Sequence, residues 1–393
     1  MPDVVPSRAV AQGEWMEPTK AAKVVSRARR LDLATAARVL WTVVKLLVAL
    51  FLFVGALQLM KAGAVGFHLL QAGGLLVENA GTTFGLGWLG ALLVLSGSPI
   101  AAVSLALVAA GEEAVAGAQR FTELQGFTML TGSRLGAAFV VLVTAVVYAL
   151  RGGEGRRKAP VSTAVIALMT TALVYVPGSA IGLVLLRWGP FGQLDLSAPA
   201  GFGGLIDAIY GDAIDRTKDL PAGVVFAGGL VLLLVSFKVI DSVMPKLDEH
   251  TAETRLTWLR RKWPMFGLGC AVALVTMSVS VALTILVPLV AKNYVRRDSI
   301  IPYIMGANIT TLGDTLLAAL ALDSPGAVRI TLASIIGSTV VSLVFLTFFY
   351  EPIRVGTWRL HTHFVKSPLH LVAFTTALFA IPVAVIAVST LAF

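Results

Sequence analysis

The feature that most constrains this chain is a series of apolar runs too long for the interior of a small soluble domain. Val39–Lys61, Phe84–Gly111, Phe127–Leu150, Val161–Leu186, Ala222–Val243, Met265–Val290, Ile301–Leu322, Val328–Tyr350 and Leu369–Leu391 each reach the length of about 20 residues that crosses a hydrocarbon core. Only 13% of the 393 residues are charged and 57% are hydrophobic, whereas a soluble domain carries about a quarter charged residues. The chain therefore reads as an all-α polytopic membrane protein. Its net charge of +9 sits in short loops, where basic residues set membrane orientation, and gives no reason to expect a nucleic-acid partner. The single cysteine, Cys270, lies in an apolar run and reads as a small core residue. The first run is too long for the core of a cleavable signal peptide.

Two of the runs are divided near the middle. Phe84–Gly111 is interrupted at Ser96-Gly97-Ser98-Pro99, and Met265–Val290 at Met277-Ser278-Val279-Ser280. Each arm is about a dozen residues, too short to span about 30 Å as a helix. Read as re-entrant hairpins, these two runs place every basic loop on one side when the basic N-terminus is cytoplasmic. That includes Arg151–Lys158, the loop from Lys246 to Lys262, the cluster Lys292, Arg296 and Arg297, and the loop with Arg354, Arg359 and Lys366. The acidic stretch with Asp195, Asp207, Asp212, Asp215 and Asp219 then lies on the opposite side.

This threading predicts an internal repeat of inverted topology, each half reading span, hairpin, broken span, span. Leu93-Val-Leu-Ser-Gly-Ser98 matches Val275-Thr-Met-Ser-Val-Ser280, and Thr131-Gly-Ser-Arg-Leu-Gly136 sits where Met305-Gly-Ala-Asn-Ile-Thr310 sits. The expected organisation is a basic cytoplasmic segment (1–38), a first transmembrane repeat (39–186), an acidic extracytoplasmic loop (187–221), a second, inverted repeat (222–350), and a loop with one extra C-terminal helix (351–393). The part from Thr19 to Ala37 reads either as a helix on the membrane surface or as a solvated tail.

Ile301–Leu322 carries the densest chemistry. Its middle holds Gly306, Asn308, Thr310, Thr311, Gly313 and Asp314. Unpaired polar groups in hydrocarbon cost several kcal/mol, by a rough general estimate. The cluster predicts a helix that unwinds in mid-membrane and offers oxygens to a ligand, and Asp314 is a functional candidate by its depth. The plainer alternative is a buried helix whose polar groups satisfy one another across a helix contact.

On these residues the chain resembles the sodium–phosphate cotransporter family (type II, phosphate:sodium symporter). That family combines two inverted repeats, hairpins with Gln-Ser-Ser-Ser tips, and broken helices with a Gly-Ala-Asn-Ile-Gly-Thr-like motif. Ile301-Pro-Tyr-Ile-Met-Gly-Ala-Asn308-Ile-Thr310-Thr311 is similar to the second broken helix, and Leu50-Phe-Leu-Phe-Val-Gly-Ala-Leu-Gln58 to the first span. The resemblance covers about 39–350. It departs at the tips, where Leu95 and Met277 replace the glutamines, and at Arg134, which stands in place of an asparagine.

The resemblance implies sodium-coupled symport of inorganic phosphate or a similar small anion across the cytoplasmic membrane, with no organic cofactor. The family's ligand contacts carry over mainly to Ser278, Ser280, Asn308, Thr310 and Thr311, and weakly to Ser96 and Ser98. Read together with the chain's own Arg134, Asp314 and Thr315, the expected substrate contacts are Ser98, Arg134, Ser278, Ser280, Asn308 and Thr310, and the expected sodium contacts Ser96, Thr311, Asp314 and Thr315. Sodium needs hard oxygen ligands, and an anion suits helix N-termini at the tips. Arg134 matches an oxyanion bidentately, or else it pairs with Asp314 across the repeat interface. Another anion, phosphate export, or a non-transporting scaffold or regulatory protein remain alternatives, and a homo-oligomer is compatible with the chain. Lys238 and Asp241 read as snorkelling or locally paired, Glu112 and Glu113 as solvated at a hairpin mouth, and His68, His361, His363 and His370 as surface residues. No nucleophile–base constellation or nucleotide-binding loop appears, so an enzyme is not expected.

Overall fold

A computed structural model describes residues 18–66, 77–114, 120–151, 158–189, 202–243, 261–291 and 295–391. The chain divides into a short N-terminal unit, Met1–Val48, and a second unit, Ala49–Phe393. In the first, the described residues form one continuous helix, the start of α1 (Pro18–Gly66). Thr19 to Ala37, read from sequence either as a surface helix or as a solvated tail, is helical. His68 and the remainder of the connector to residue 76 lie outside the described residues.

Among the described residues, seven helical stretches are long and apolar enough to cross a membrane. They are α1 from Arg38, α4 (Glu123–Ala137) with α5 (Phe139–Arg151), α6 (Lys158–Trp188), α8 (Ala222–Val243), α12 (Ile300–Thr310) with α13 (Leu312–Ala321), α14 (Pro325–Phe348) and α16 (Pro368–Leu391). Among the described residues there is no strand. The chain is an all-α, multi-pass membrane protein.

The two divided runs form helix pairs. α2 (Ala80–Val94) turns at Leu95–Gly97 into α3 (Ser98–Glu113). α9 (Lys262–Thr276) turns at Met277–Ser278 into α10 (Val279–Thr284) and α11 (Leu286–Ala291). At 15 residues each, α2 and α9 are about 22 Å long, short of the hydrocarbon thickness. Both turns are made by a side-chain-bearing residue in the left-handed region, Leu95 at φ 57°, ψ 26° and Met277 at φ 44°, ψ 29°. Asn79 starts α2 by accepting from the N–H groups of Gly81 and Thr82 at 2.9 and 3.0 Å.

Both broken spans bend without unwinding. Ala138 joins α4 to α5 at φ −65°, ψ −15°, and Thr311 joins α12 to α13 at φ −69°, ψ −13°. The Thr311 N–H still bonds the Ala307 carbonyl at 3.1 Å. The expected mid-membrane gap is therefore a kink, and in the first half it falls just after the predicted Gly132–Gly136.

Small residues set how closely the helices approach. A Cβ on Gly132 would collide with the Phe84 carbonyl of α2, and one on Gly306 with the Phe266 carbonyl of α9. Reciprocally, a Cβ on Gly87 would strike the Met129 carbonyl and one on Gly269 the Tyr303 carbonyl. In lipid, where apolar burial drives little association, such backbone contact is the main source of packing energy. α6 and α14 cross the same way at Gly178 and Gly337, where each glycine faces the other's backbone.

Polar contacts close the two ends of the bundle. At one end Glu112 accepts from Ser324 Oγ (2.6 Å) and the Gly326 N–H (2.7 Å), capping α14, while Glu113 pairs with Lys61 at 2.6 Å. The two glutamates are exposed, as expected, yet both are engaged. Gln58 donates to the Ala321 carbonyl at 2.8 Å, and Glu123 pairs with Arg329. The acidic stretch folds in part as α7 (Phe202–Asp215), whose Tyr210 hydroxyl donates to the Phe51 carbonyl at 2.9 Å.

At the other end, α15 (Tyr350–Val365) links α14 to α16. Here one expectation is corrected. His361 is buried, not at the surface, with Nε2 2.6 Å from Ser162 Oγ and Nδ1 3.3 Å from the Trp358 carbonyl. A neutral ring donating from Nδ1 and accepting at Nε2 satisfies both contacts. His363 is exposed as expected, and His370 is half-buried with Nδ1 2.7 Å from Ser367 Oγ. Lys238 is exposed near the end of α8, and the side chain of Asp241 lies outside the described residues.

Candidate functional site

The kinks of the two broken spans bring the conspicuous polar residues together. Arg134, in the last turn of α4, has a fully buried guanidinium whose Nη2 lies 3.7 Å from Asp314 Oδ1. Thr315 sits between them, accepting from Arg134 Nη2 and donating to Asp314 Oδ1 at 2.9 Å. Asn308 and Thr311 approach from the end of α12. The Asn308 amide donates to Thr171 Oγ1 of α6 at 3.3 Å, and its carbonyl accepts from the Tyr175 hydroxyl (2.6 Å) and from Thr311 Oγ1 (3.2 Å). Tyr175 and Thr311 thus meet on the Asn308 main-chain carbonyl, and Tyr175 packs with Leu135 and Leu312, the neighbours of Arg134 and Thr311.

The pairing of Arg134 with Asp314 was one of two expectations, and it is present. It does not exhaust either group. Arg134 Nε and Nη1, Asp314 Oδ2 and Asn308 Oδ1 are buried with no protein partner, and Trp88 Nε1 is too. Trp88 packs against a small apolar cluster of Leu135, Tyr175 and Leu312 beside the site. A buried polar atom left unsatisfied costs about 1–3 kcal/mol, more when charged, so four such atoms on three neighbouring residues point to a ligand. They divide by chemistry. The guanidinium N–H groups suit an oxyanion, and the carboxylate and amide oxygens, with the hydroxyls of Thr311 and Thr315, suit a hard cation.

The other sequence-derived residues take different places. Ser98 is buried at the start of α3. The turn it follows abuts α4, where a Cβ on Gly97 would fall 2.9 Å from the Ser133 carbonyl, one residue before Arg134. Ser96 is half-buried in that turn. Thr310 faces away from the cluster and donates to the Cys270 carbonyl of α9 at 3.0 Å. Ser278 caps α10 by accepting from the Val281 N–H at 3.3 Å. Ser280 lies in α10, and its side chain is outside the described residues. Arg134, Asn308, Thr311, Asp314 and Thr315 thus converge, with Ser98 adjacent to their helix.

Thr171, Tyr175 and Trp88 complete the surroundings and were not singled out from sequence. A tyrosine between Val174 and Val176 in mid-span was the available signal for one of them. Among the described residues no three His, Cys, Asp or Glu side chains gather as a transition-metal site requires. No protein-family model, curated protein or solved structure matches the chain.

Proposed function

We propose that this protein is a secondary active transporter that moves phosphate, or a similar small oxyanion, together with sodium. The observation that carries the reading is the buried set of unsatisfied donors on Arg134 beside unsatisfied acceptors on Asp314 and Asn308, at the kinks of two spans. An anion on the guanidinium and a cation on the carboxylate would neutralise each other's charge, which favours joint over separate binding. Asp314, Asn308, Thr311 and Thr315 would hold the sodium, and Arg134 the anion.

The proposal includes two inverted repeats, with α2–α3 and α9–α11 as re-entrant hairpins. Register supports it. Phe84 and Phe266, Gly87 and Gly269, and the left-handed Leu95 and Met277 occupy equivalent places in the first and second helix pairs. Met129 and Tyr303, and Gly132 and Gly306, do so in the spans they pack against. The same alignment sets Arg134 opposite Asn308. Movement of the hairpins against the broken spans would then open the site to one side or the other.

Uptake of radiolabelled phosphate into proteoliposomes tests this, with an inward sodium gradient and with potassium in its place. Sodium-dependent uptake lost in Asn308→Ala is expected. Sulfate and a dicarboxylate are assayed in parallel, because the Arg134 fork fits any of these oxyanions. Absence of flux for all of them with a folded protein would instead favour a non-transporting scaffold.

A further inference from the structure

Away from the buried site, the end of the bundle that carries α15 holds a cavity of about 530 Å³ between α15, the first turns of α6 and the short turn at Arg297–Ser299. Arg297, Arg359, Lys366, His361 and His363 line it, with the hydroxyl of Ser162 at its inner wall. No carboxylate lines it. The nearby acids are engaged elsewhere: Asp298 faces Arg354 (3.4 Å) and Arg296 (3.7 Å), and Glu351 pairs with Arg354 at 2.8 Å. Among the described residues no carboxylate pairs with Arg297, Arg359 or Lys366, and all three are exposed.

Beyond the lining, His363 packs on His370 of α16 with ring centroids 4.7 Å apart, and exposed aliphatic side chains lie close by in the chain. Leu360 follows Arg359 and is 48% exposed, and Leu369 and Val372 at the start of α16 are 76% and 61% exposed. Cations grouped beside the end of a membrane span, with uncovered aliphatic side chains next to them, match both parts of an anionic lipid: a phosphate headgroup and an acyl chain. A soluble phosphate compound would use the cations and leave the leucines without a role.

We propose that this cavity is a binding site for the phosphate headgroup of an anionic phospholipid. The headgroup lies between Arg297 and Arg359, Lys366 closes it from the end of α15, and the acyl chains run along Leu360 and the start of α16. The site is separate from the buried Arg134 cluster and does not depend on the transport reading.

The test uses the full-length protein, delipidated in detergent, with phosphatidylglycerol, phosphatidylcholine or glycerol 1-phosphate added. Lipid retention is read by native mass spectrometry and binding by the rise in melting temperature. Each basic side chain near an anionic surface contributes roughly fivefold in affinity. The Arg297→Gln/Arg359→Gln double variant is therefore expected to bind phosphatidylglycerol roughly 30-fold more weakly. Arg216→Gln/Lys218→Gln, after α7, should bind as the wild type does. Should the double variant not fold, the single changes Arg359→Gln and Lys366→Gln, each on an exposed residue, should show about fivefold losses. Equal binding by wild type and variants would overturn the proposal, as would equal binding of phosphatidylcholine. Glycerol 1-phosphate binding as tightly as the intact lipid would reassign the cavity to a soluble phosphate compound.

Discussion

Asp314→Asn removes the one carboxylate that pairs with Arg134 among the described residues while keeping the size of the side chain. In the wild type the Arg134 side chain is 0% exposed and that of Asp314 6%, so no bulk water takes over the lost role. Arg134 would keep its bond to Thr315 and would hold an uncompensated charge with Nε and Nη1 already unsatisfied. Breaking a buried pair from one side costs about 3–5 kcal/mol. That is about two to three and a half powers of ten in the folding equilibrium. Removing both charges in Arg134→Met/Asp314→Leu leaves no orphaned charge, and such replacements are neutral or stabilising by about 1–4 kcal/mol. Wild type, Arg134→Met, Asp314→Leu and the double variant form a cycle, measured with Asp314→Asn alongside by reversible unfolding in mixed detergent micelles followed by circular dichroism. The expected pattern is a severe loss in Asp314→Asn with recovery in the double variant. A loss below about 1 kcal/mol in the single variant, or a double variant that loses the sum of both singles, would refute a charge-compensated buried pair.

Three further outcomes follow from the geometry. Gly87→Ala and Gly269→Ala each force a methyl onto a facing carbonyl, and both should lower stability by about 1–3 kcal/mol in the same unfolding assay. Leu95→Gly and Met277→Gly should each raise it by about 1 kcal/mol, because glycine occupies the left-handed region without the Cβ penalty. Burial, reinforced by Arg297, holds the proton affinity of His361 below the ordinary imidazole value. The unfolded chain therefore takes up its proton first as pH falls through about 6.5, and stability that is full above that pH declines below it. Melting temperatures between pH 8 and pH 5 should fall more steeply for the wild type than for His361→Gln.

Much of the architecture could be read from where polar residues interrupt apolar runs. Ser96-Gly97-Ser98-Pro99 and Met277-Ser278 mark the two tight turns because glycine, serine and proline end helices wherever they cluster. The matched segments around Leu95 and Met277 are indeed those that share a left-handed residue. Arg134, Asn308 and Asp314 stood out because a polar side chain in an apolar run has few places to go. The kink position was less legible. Glycines in Gly132–Gly136 look like weak points of a helix, but they serve close packing against α2, and the bend falls at Ala138. Nor could the sequence report that His361 is buried, since its partner Ser162 lies 199 positions away in the chain. Tyr175 was hidden for the same reason: its partner carbonyl, on Asn308, belongs to another span.

The bend at Thr311 has an evolutionary consequence. Because Tyr175 and Thr311 already occupy the Asn308 carbonyl, the polar character of the candidate site rests on side chains at 134, 308, 311, 314 and 315 and very little on that main-chain group. Main-chain ligands are the same whatever the codon; side chains are not. On the proposed transport reading, a lineage carrying this scaffold is thus free to exchange one ionic preference for another by point substitution, leaving the glycine contacts that hold the helices together untouched.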